Sequence, residues 1–212
     1  MVSYGYDNAN RLISLQNTAA AGVIASYSHT LDNNGNRTAT DETVPTTMNA
    51  VAMDIGFGYN AKGTRLLTAG ANSFNYDNEG QINSGYSHSF TFDYEHRLST
   101  IGTDYQFFYD GAGNRLMATR YGVTTKYVYD AKGNLLAEAD GNNNITKYYI
   151  YGAGLLEMVN SSGAYCYHFD STGHTVALTD QNQNIVNAYA YDPFGNQVGQ
   201  QETVPQGVKK KN

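Results

Sequence analysis

Charged residues, proline, cysteine and tryptophan are all scarce in this chain of 212 residues. Charged side chains make up only 15% of it, and it has three prolines, one cysteine and no tryptophan. Because Cys166 has no partner cysteine, an intramolecular disulfide is excluded and the fold must be stable without one. No apolar run approaches the roughly 20 residues of a membrane-spanning helix. No N-terminal segment has the order of charge and hydropathy of a signal peptide.

Basic residues are also too few for a nucleic-acid-binding protein. The formal net charge is −6 and the isoelectric point is near 5.2. A nucleic-acid-binding module needs a basic surface to neutralise phosphates, so the charge argues against that class. The one basic run, three lysines at residues 209–211, lies beside the C-terminus. We interpret it as a solvated tail rather than a binding surface.

Tyrosine and glycine are what the chain has in abundance. It contains 19 Tyr, 8 Phe and 22 Gly, and 41% of its residues are hydrophobic. Aromatic and β-branched residues favour pleated, half-buried surfaces, and glycine and asparagine favour turns. The apolar content is that of a folded chain. We therefore predict an all-β protein, at least half strand and almost without helix.

A short pattern of about eight residues recurs along the chain. Its fullest form, YDGAGNRL, begins at Tyr109, and a variant one residue shorter begins at Tyr6 and Phe92. Further copies begin at Leu31, Tyr59, Tyr76, Tyr129, Phe169 and Tyr191. From Tyr59 to Tyr129 successive starts are separated by 17, 16, 17 and 20 residues. This spacing fits one β-hairpin per repeat, and so predicts an array of antiparallel hairpins in one large twisted or spiralling sheet.

The residues of the repeat predict a particular turn. The aspartate hydrogen-bonds the backbone ahead of it, and the glycine takes the left-handed conformation that other residues resist. Together they indicate a type I turn closed by a glycine bulge, a common three-residue hairpin loop. In the shorter variant Asn10 and His96 stand where that glycine should be. Asparagine accepts the left-handed conformation readily, and histidine less so.

Such a turn also predicts which residues face each other across the hairpin. In the longer form the expected pairs are Asp110 with Asn114, Tyr109 with Arg115, Tyr59 with Arg65, and Phe108 with Leu116. In the shorter form they are Arg97 with Asp93, as an ion pair, and Phe92 with Leu98. The arginine of the longer form should then stack on the tyrosine ring that it faces.

Two segments lack the repeat. Residues 18–25 are alanine-rich, but Gly22 and the β-branched pair after it disfavour a helix. Residues 40–54 contain Pro45 and are predicted to be a loop or a lateral excursion. No linker divides the chain.

Candidate chemical sites are weak throughout. The five histidines lie at positions 29, 88, 96, 168 and 174, without the spacing of zinc ligands. Cys166 and His168 share one strand face, but nothing nearby supplies an orienting group or an oxyanion site. The oxygen-rich segments 140–144 and 180–184 lack the glycine and distant glutamate of a calcium loop and are interpreted as turns. We predict no catalytic, metal or cofactor site, and the binding residues are unknown from sequence.

The repeated motif resembles the YD repeats of the Rhs (rearrangement hotspot) family, which includes C-subunits of insecticidal toxin complexes and teneurins. The resemblance covers about residues 6–195. Residues 127–151 resemble the last repeats before the Rhs-associated core, and residues 168–173, 176–180 and 191–195 resemble the opening of that core. Two positions depart from the pattern: His174 follows the turn glycine where a small residue is usual, and Gln183 replaces a turn glycine. We thus expect a YD-repeat array over residues 1–195, its core-like part at 127–195, and a polar tail at 196–212.

The resemblance implies a broad sheet that spirals into a shell around a cargo polypeptide, often a toxin. The self-cleavage region of the family's core has no counterpart after Gly195, so we expect no enzyme activity. The expected function is that of a structural module of a larger secreted or cell-surface protein, whose open sheet edges are covered or self-associate. The alternative is a carbohydrate-binding or adhesive module, because exposed tyrosines and amides suit sugars. A third interpretation is an enzyme whose site combines residues distant in sequence.

Overall fold

The described residues form an all-β protein, as the sequence predicts. In a computed structural model, residues 1–46, 55–192 and 195–204 are described. More than half of them lie in 21 strands, all paired antiparallel where pairing is described, and no helix occurs in these ranges. Accordingly, the described residues include no helix that could cross a membrane.

The hairpins are distributed over three sheets rather than one. The first sheet has four strands in sequence order, β1 (Val2–Tyr6), β2 (Leu12–Ala19), β3 (Gly22–Leu31) and β4 (Arg37–Thr43). The second has three, β5 (Phe57–Tyr59), β6 (Leu66–Ala69) and β7 (Asn72–Ser73).

The third sheet has 14 strands, again in sequence order. Its first seven strands are β8 (Asn75–Tyr76), β9 (Ile82–Gly85), β10 (His88–Phe92), β11 (Leu98–Ile101), β12 (Tyr105–Tyr109), β13 (Arg115–Arg120) and β14 (Val123–Tyr129). The other seven are β15 (Leu135–Asp140), β16 (Ile145–Tyr151), β17 (Leu155–Asn160), β18 (Gly163–Phe169), β19 (Thr175–Thr179), β20 (Ile185–Tyr191) and β21 (Gln197–Glu202).

The two segments without the repeat both contain strand residues. Residues 18–25 end β2 and begin β3, with Gly22 at a positive φ of 127° in the turn between them. The predicted loop is strand up to Thr43, and residues 47–54 lie outside the described residues.

The sheet also extends into the segment expected as a polar tail, because β21 pairs with β20. The lysines at 209–211 lie outside the described residues.

The chain divides into two compact units, residues 1–51 with 147–212 and residues 52–146, hereafter unit 1 and unit 2. In unit 1 the four-stranded sheet packs on the last strands of the large sheet. Leu15, Ala25 and Tyr27 bury one cluster with Val176 of β19. The side-chain amide of Asn17 donates to the carbonyl of Phe169 at 2.9 Å. β19 is buried along its whole length, as expected of a strand covered on both faces.

Strand β12 of unit 2 shows the alternating burial of a sheet with one better-covered face. In β12, Phe107 is buried and the next residue, Phe108, is exposed. Phe107 pairs with the buried Ala118 of β13. Since side chains alternate across a strand, one face of each hairpin is packed and the other is presented.

Candidate functional site: repeated turns and a cavity

The aspartate of most repeats closes its turn through three kinds of contact, and Asn60 takes its place in the copy that begins at Tyr59. In the fullest copy the Asp110 N–H donates to the carbonyl of Asn114 at 2.9 Å, and the Gly113 N–H donates to the carbonyl of Asp110 at 3.1 Å. The carboxylate Oδ1 accepts the N–H groups of Ala112 and Asn114, and Oδ2 accepts the Asn114 amide. These hydrogen bonds favour the charged form and lower the pKa of Asp110. The predicted turn is confirmed.

The same turn recurs with other residues at the left-handed position and at the position that closes the turn. Asn10 and His96 take the left-handed conformation with φ of 58° and 62°, as predicted, and Gln183 does so at 65°. His174 takes the place of the turn-closing asparagine, and its Nδ1 lies 3.1 Å from Asp170 Oδ2. Both departures from the repeat pattern therefore keep its geometry. Segments 140–144 and 180–184, interpreted as turns, form the same hydrogen bonds.

The predicted pairing is right at the turn and wrong one step beyond it. Tyr109 faces Arg115, but a bulge then shifts the register so that Phe108 faces Met117 and not Leu116. The same irregularity recurs in most hairpins, as the pairs Val128 with Ala137 and Tyr129 with Leu135 show. Tyr59 also faces Leu66 rather than the predicted Arg65.

In the shorter variant the predictions hold. Arg97 Nε donates to Asp93 Oδ2 at 2.7 Å, and Phe92 faces Leu98. The turn itself has the same size in both forms, because Asp93 N–H also donates to the carbonyl four residues ahead. The two forms therefore differ in whether arginine or asparagine occupies the closing position.

Three arginines lie over aromatic rings other than the aromatic residue that begins their own repeat. Arg97 lies over the ring of Tyr109, 5.0 Å from its centroid, and Arg65 lies over Tyr76 at 5.3 Å. Arg115 lies over Phe107 and Tyr127, not over Tyr109. The predicted stacking on the facing tyrosine is therefore wrong.

The hydroxyls of three repeat tyrosines, Tyr76, Tyr109 and Tyr129, each donate to a backbone carbonyl of the preceding hairpin. The Tyr109 hydroxyl donates to Leu98 at 2.9 Å, and the Tyr129 hydroxyl donates to Arg115 at 3.1 Å. The tyrosine of one repeat thus ties that repeat to the one before it. Sequence reasoning missed this role, although the regular recurrence of tyrosine was its signal.

A row of apolar side chains is presented by unit 2. Phe108, Leu116, Val128 and Leu136, which we call the apolar row, occupy equivalent positions beside the turns of two hairpins and are 39–46% exposed. In unit 1 the corresponding bulge position is exposed at Leu156 of β17 and buried at Val176 of β19, which packs against the four-stranded sheet. These four side chains are therefore accessible to another chain.

Unit 1 contains a cavity of about 360 Å³ between the four-stranded sheet and the turns of the last strands. Tyr27 and His29 of β3 line one side, and Asp170, His174 and Tyr191 line the other. His29 Nδ1 lies 3.0 Å from the hydroxyl of Thr40. The His174 and Tyr191 rings stack with centroids 4.8 Å apart. This volume lies within the usual range of small-molecule sites.

Two buried polar atoms of the cavity wall have no hydrogen-bond partner among the described residues, the hydroxyl of Tyr27 and Nε2 of His29. Both side chains are only 6% exposed. Burial, aided by the charges of Asp170 and Glu42, raises the pKa of Tyr27. Burial, aided by Arg37, lowers the pKa of His29. Both groups are therefore neutral near pH 7.

The cavity lacks the geometry of a catalytic relay. A relay needs one imidazole nitrogen for the orienting carboxylate and the other for the nucleophile. In His174, Asp170 and the Thr172 hydroxyl both lie at Nδ1, at 3.1 and 2.7 Å. The Nε2 side faces the backbone of Gly195, where a β-carbon would lie 3.2 Å away. This arrangement orients the ring within the turn.

The remaining sequence candidates are not brought together. No group of three or more potential metal-binding side chains occurs within the described ranges. Cys166 is exposed, whereas His168 is buried, and burial lowers the pKa of His168 to about 4. His168 Nε2 lies 3.0 Å from the hydroxyl of Thr179, so its contact is with a neighbouring strand.

The sequence was compared with protein families and with known proteins. The sequence model of the teneurin YD-shell family matches residues 1–204. The tRNA3(Ser)-specific nuclease WapA of Bacillus spizizenii is 31% identical over 200 residues, which cover 90% of this chain and 8% of that protein. The tRNA nuclease WapA of Bacillus subtilis strain 168 is 32% identical over 154 residues, 69% of this chain and 6% of that one. The chain therefore spans less than a tenth of these relatives.

Among solved structures, the chain is similar to the Tc holotoxin pore of Photorhabdus luminescens at 12% identity and a TM-score of 0.47. That match covers 94% of this chain and 14% of the other. It is also similar to TcdB2–TccC3 without its hypervariable C-terminal region, at 12% identity and a TM-score of 0.43. Here the match covers 94% of this chain and 15% of the other.

Proposed function

The chain belongs to the teneurin YD-shell family, and from this premise we propose that it is a non-catalytic segment of a shell that encloses or scaffolds a partner polypeptide. The family match over residues 1–204 carries the proposal. The regular hairpins of the described chain support it, because the same turn closes most of them and Tyr76, Tyr109 and Tyr129 tie three of them to the hairpin before. We propose further that the shell belongs to a larger secreted or cell-surface protein.

The apolar row supplies the surface for the partner. Its four side chains lie on an otherwise folded sheet, so binding an apolar segment of another chain would remove their exposed area from water. A shell around a polypeptide needs such contacts to be weak and sequence-tolerant. Scattered Leu, Val and Phe side chains meet that need, because the hydrophobic effect is non-directional.

Binding of an unfolded polypeptide tests the shell role. The probe is a reduced, alkylated model protein, with the whole chain immobilised. We expect binding by the native chain and weaker binding by the double variant Leu116→Ser, Leu136→Ser. The matched control is Val23→Ser, Ile185→Ser, which removes equally exposed apolar groups from unit 1. Equal binding by both double variants would show that the row is not the contact surface.

Two assays test the non-catalytic part of the proposal. Because the relatives are named as tRNA nucleases, purified chain is incubated with total tRNA. We expect intact tRNA, since the chain spans less than a tenth of those proteins. We also expect the mass of the chain itself to be unchanged after prolonged incubation. Cleaved tRNA, or a specific break in the chain, would contradict this part.

A further inference from the structure

Two phenol rings lie together at one end of the strands of unit 2, Tyr105 at the start of β12 and Tyr121 in the turn between β13 and β14. The Tyr105 hydroxyl donates to the hydroxyl oxygen of Tyr121 at 2.9 Å, and the ring centroids are 5.0 Å apart. Because the two oxygens are in hydrogen-bonding contact, the ring carbons next to them are also close neighbours. Tyr121 is 70% exposed, so a reagent in the solvent can reach the pair.

The backbone of Tyr121 indicates that its side chain matters beyond the turn. Arg120 pairs with Val123, which leaves Tyr121 and Gly122 as a two-residue hairpin loop with φ of 49° and 79°. Positive φ at both positions defines a type I′ turn, whose first position favours asparagine, aspartate or glycine. A bulky side chain is unfavourable in the left-handed conformation. Tyrosine at this position therefore costs stability in the turn, and the contact of its ring with Tyr105 is what the side chain adds.

A second turn of unit 2 has the same backbone and a different aromatic partner. Tyr86 and Ser87 have φ of 51° and 62°, and the ring of Tyr86 packs edge to face on Phe74 with centroids 5.1 Å apart. A phenylalanine is thus sufficient for the packing of such a tyrosine. At Tyr121 the partner is instead a second phenol. This difference gives the Tyr121 pair a reaction that the Tyr86 pair lacks, the oxidative coupling of two phenols.

We propose that Tyr105 and Tyr121 are a site of dityrosine formation, with hydrogen peroxide and a haem peroxidase as the oxidant. Each phenol loses one electron and one proton, which gives two tyrosyl radicals. The radicals join through one carbon–carbon bond between ring carbons next to the oxygens. Those two carbons then release their hydrogens as protons while the oxygens regain protons, so both phenols are restored. One hydrogen peroxide takes up the two electrons and two protons and becomes two waters.

The bond would link two neighbouring turns and close a loop of residues 105–121. A covalent loop of this kind restricts the unfolded chain as a disulfide does. The chain has one cysteine and cannot form an internal disulfide, so the phenol pair would supply a cross-link that cysteine does not.

The test treats the whole chain, at low micromolar concentration, with a haem peroxidase and hydrogen peroxide. Size exclusion then separates the monomer from cross-linked oligomers. Dityrosine fluorescence measures the yield, and mass spectrometry of proteolytic peptides identifies the joined pair by its loss of two hydrogens. We expect the Tyr105–Tyr121 link to be the main one in the monomer.

Variants that keep the rings but remove one phenol oxygen make the test specific. Tyr121→Phe and Tyr105→Phe should each lose the link while they keep the circular dichroism spectrum of the native chain. The matched control is Tyr86→Phe, which changes a tyrosine in the same kind of turn with 58% exposure and should keep the native yield.

Three results would overturn the proposal. They are a monomer without dityrosine, links spread over exposed tyrosines such as Tyr94 and Tyr148 with no excess at Tyr105–Tyr121, or an equal loss of yield in Tyr86→Phe. If one of the two phenylalanine variants fails to fold, retention of the link's yield in the other refutes the site. Both tyrosines lie outside the apolar row, so this proposal and the shell proposal fail independently.

Discussion

Two glycines of one turn should respond oppositely to the same substitution. Gly113 has a φ of +88°, whereas Gly111 lies outside the left-handed region, and a β-carbon at either position would meet no atom within 4 Å. Steric crowding therefore does not distinguish them. The left-handed conformation costs an alanine about 1–2 kcal/mol. Replacing glycine by alanine also restricts the unfolded chain, which stabilises the fold by about 0.4–1 kcal/mol where the conformation is compatible.

The difference between the two variants isolates the backbone conformation. The unfolded-state contribution is common to Gly111→Ala and Gly113→Ala, so it cancels when their free energies of unfolding are subtracted. We expect Gly111→Ala to be as stable as the native chain or more so, and Gly113→Ala to be less stable than Gly111→Ala by about 1–2 kcal/mol. Urea unfolding followed by circular dichroism measures both values.

A third variant tests the reason directly. Gly113→Asn should recover part of the loss, because asparagine tolerates the left-handed region and Asn10 and Asn143 occupy it in equivalent turns. Equal stability of Gly111→Ala and Gly113→Ala would refute the reasoning. So would an asparagine variant no more stable than the alanine one at position 113.

Three further outcomes are expected from urea unfolding. Lowering the pH from 6.5 to 4 should cost up to about 3 kcal/mol through His168, because the unfolded chain gains its proton there while the folded chain, with the pKa of His168 at about 4, does not. His168→Gln should remove this part and leave the smaller loss due to His29, whose pKa burial also lowers. Met158→Ala, at a fully buried position, should cost about 2–5 kcal/mol, and Leu156→Ala, at a half-exposed one, far less. Tyr109→Phe should cost about 0.5–1.5 kcal/mol through its hydrogen bond to the preceding hairpin, and Tyr94→Phe, fully exposed, nothing measurable.

Local rules recovered the hairpins because their signals are local. The aspartate and the left-handed residue of each turn are three positions apart, and both have side chains with known turn preferences. The bulge beyond the turn was missed because it has no such local signal. Its extra residue in the fullest copy is Leu116, an ordinary strand residue that is not among those with positive φ. Nothing in its identity distinguishes it from the paired residues around it.

The cavity could not be read from the sequence because its two sides come from opposite ends of the chain. Tyr27 and His29 belong to the first sheet, and Asp170 and Tyr191 to the last strands. The Asn17 contact with Phe169 spans 152 positions along the chain. Repeats specify each hairpin and its neighbour, but they do not specify which distant hairpin a sheet packs against.

This division between neighbour contacts and distant contacts bears on how a shell is built. A hairpin closed by its own aspartate and tied back by its own tyrosine depends mainly on the repeat before it, as in other repeat proteins. Such a wall can be lengthened by adding repeats without redesigning a core. Side chains outside the turn and the tyrosine are then free to vary. In unit 2 they form the apolar row. In unit 1 the equivalent Val176 packs against the four-stranded sheet, while Leu156 at the same position of another hairpin stays exposed. One repeat thus provides both a hairpin of the sheet and a set of exposed side chains. The contacts of those side chains determine whether they pack within the chain or remain available to a partner.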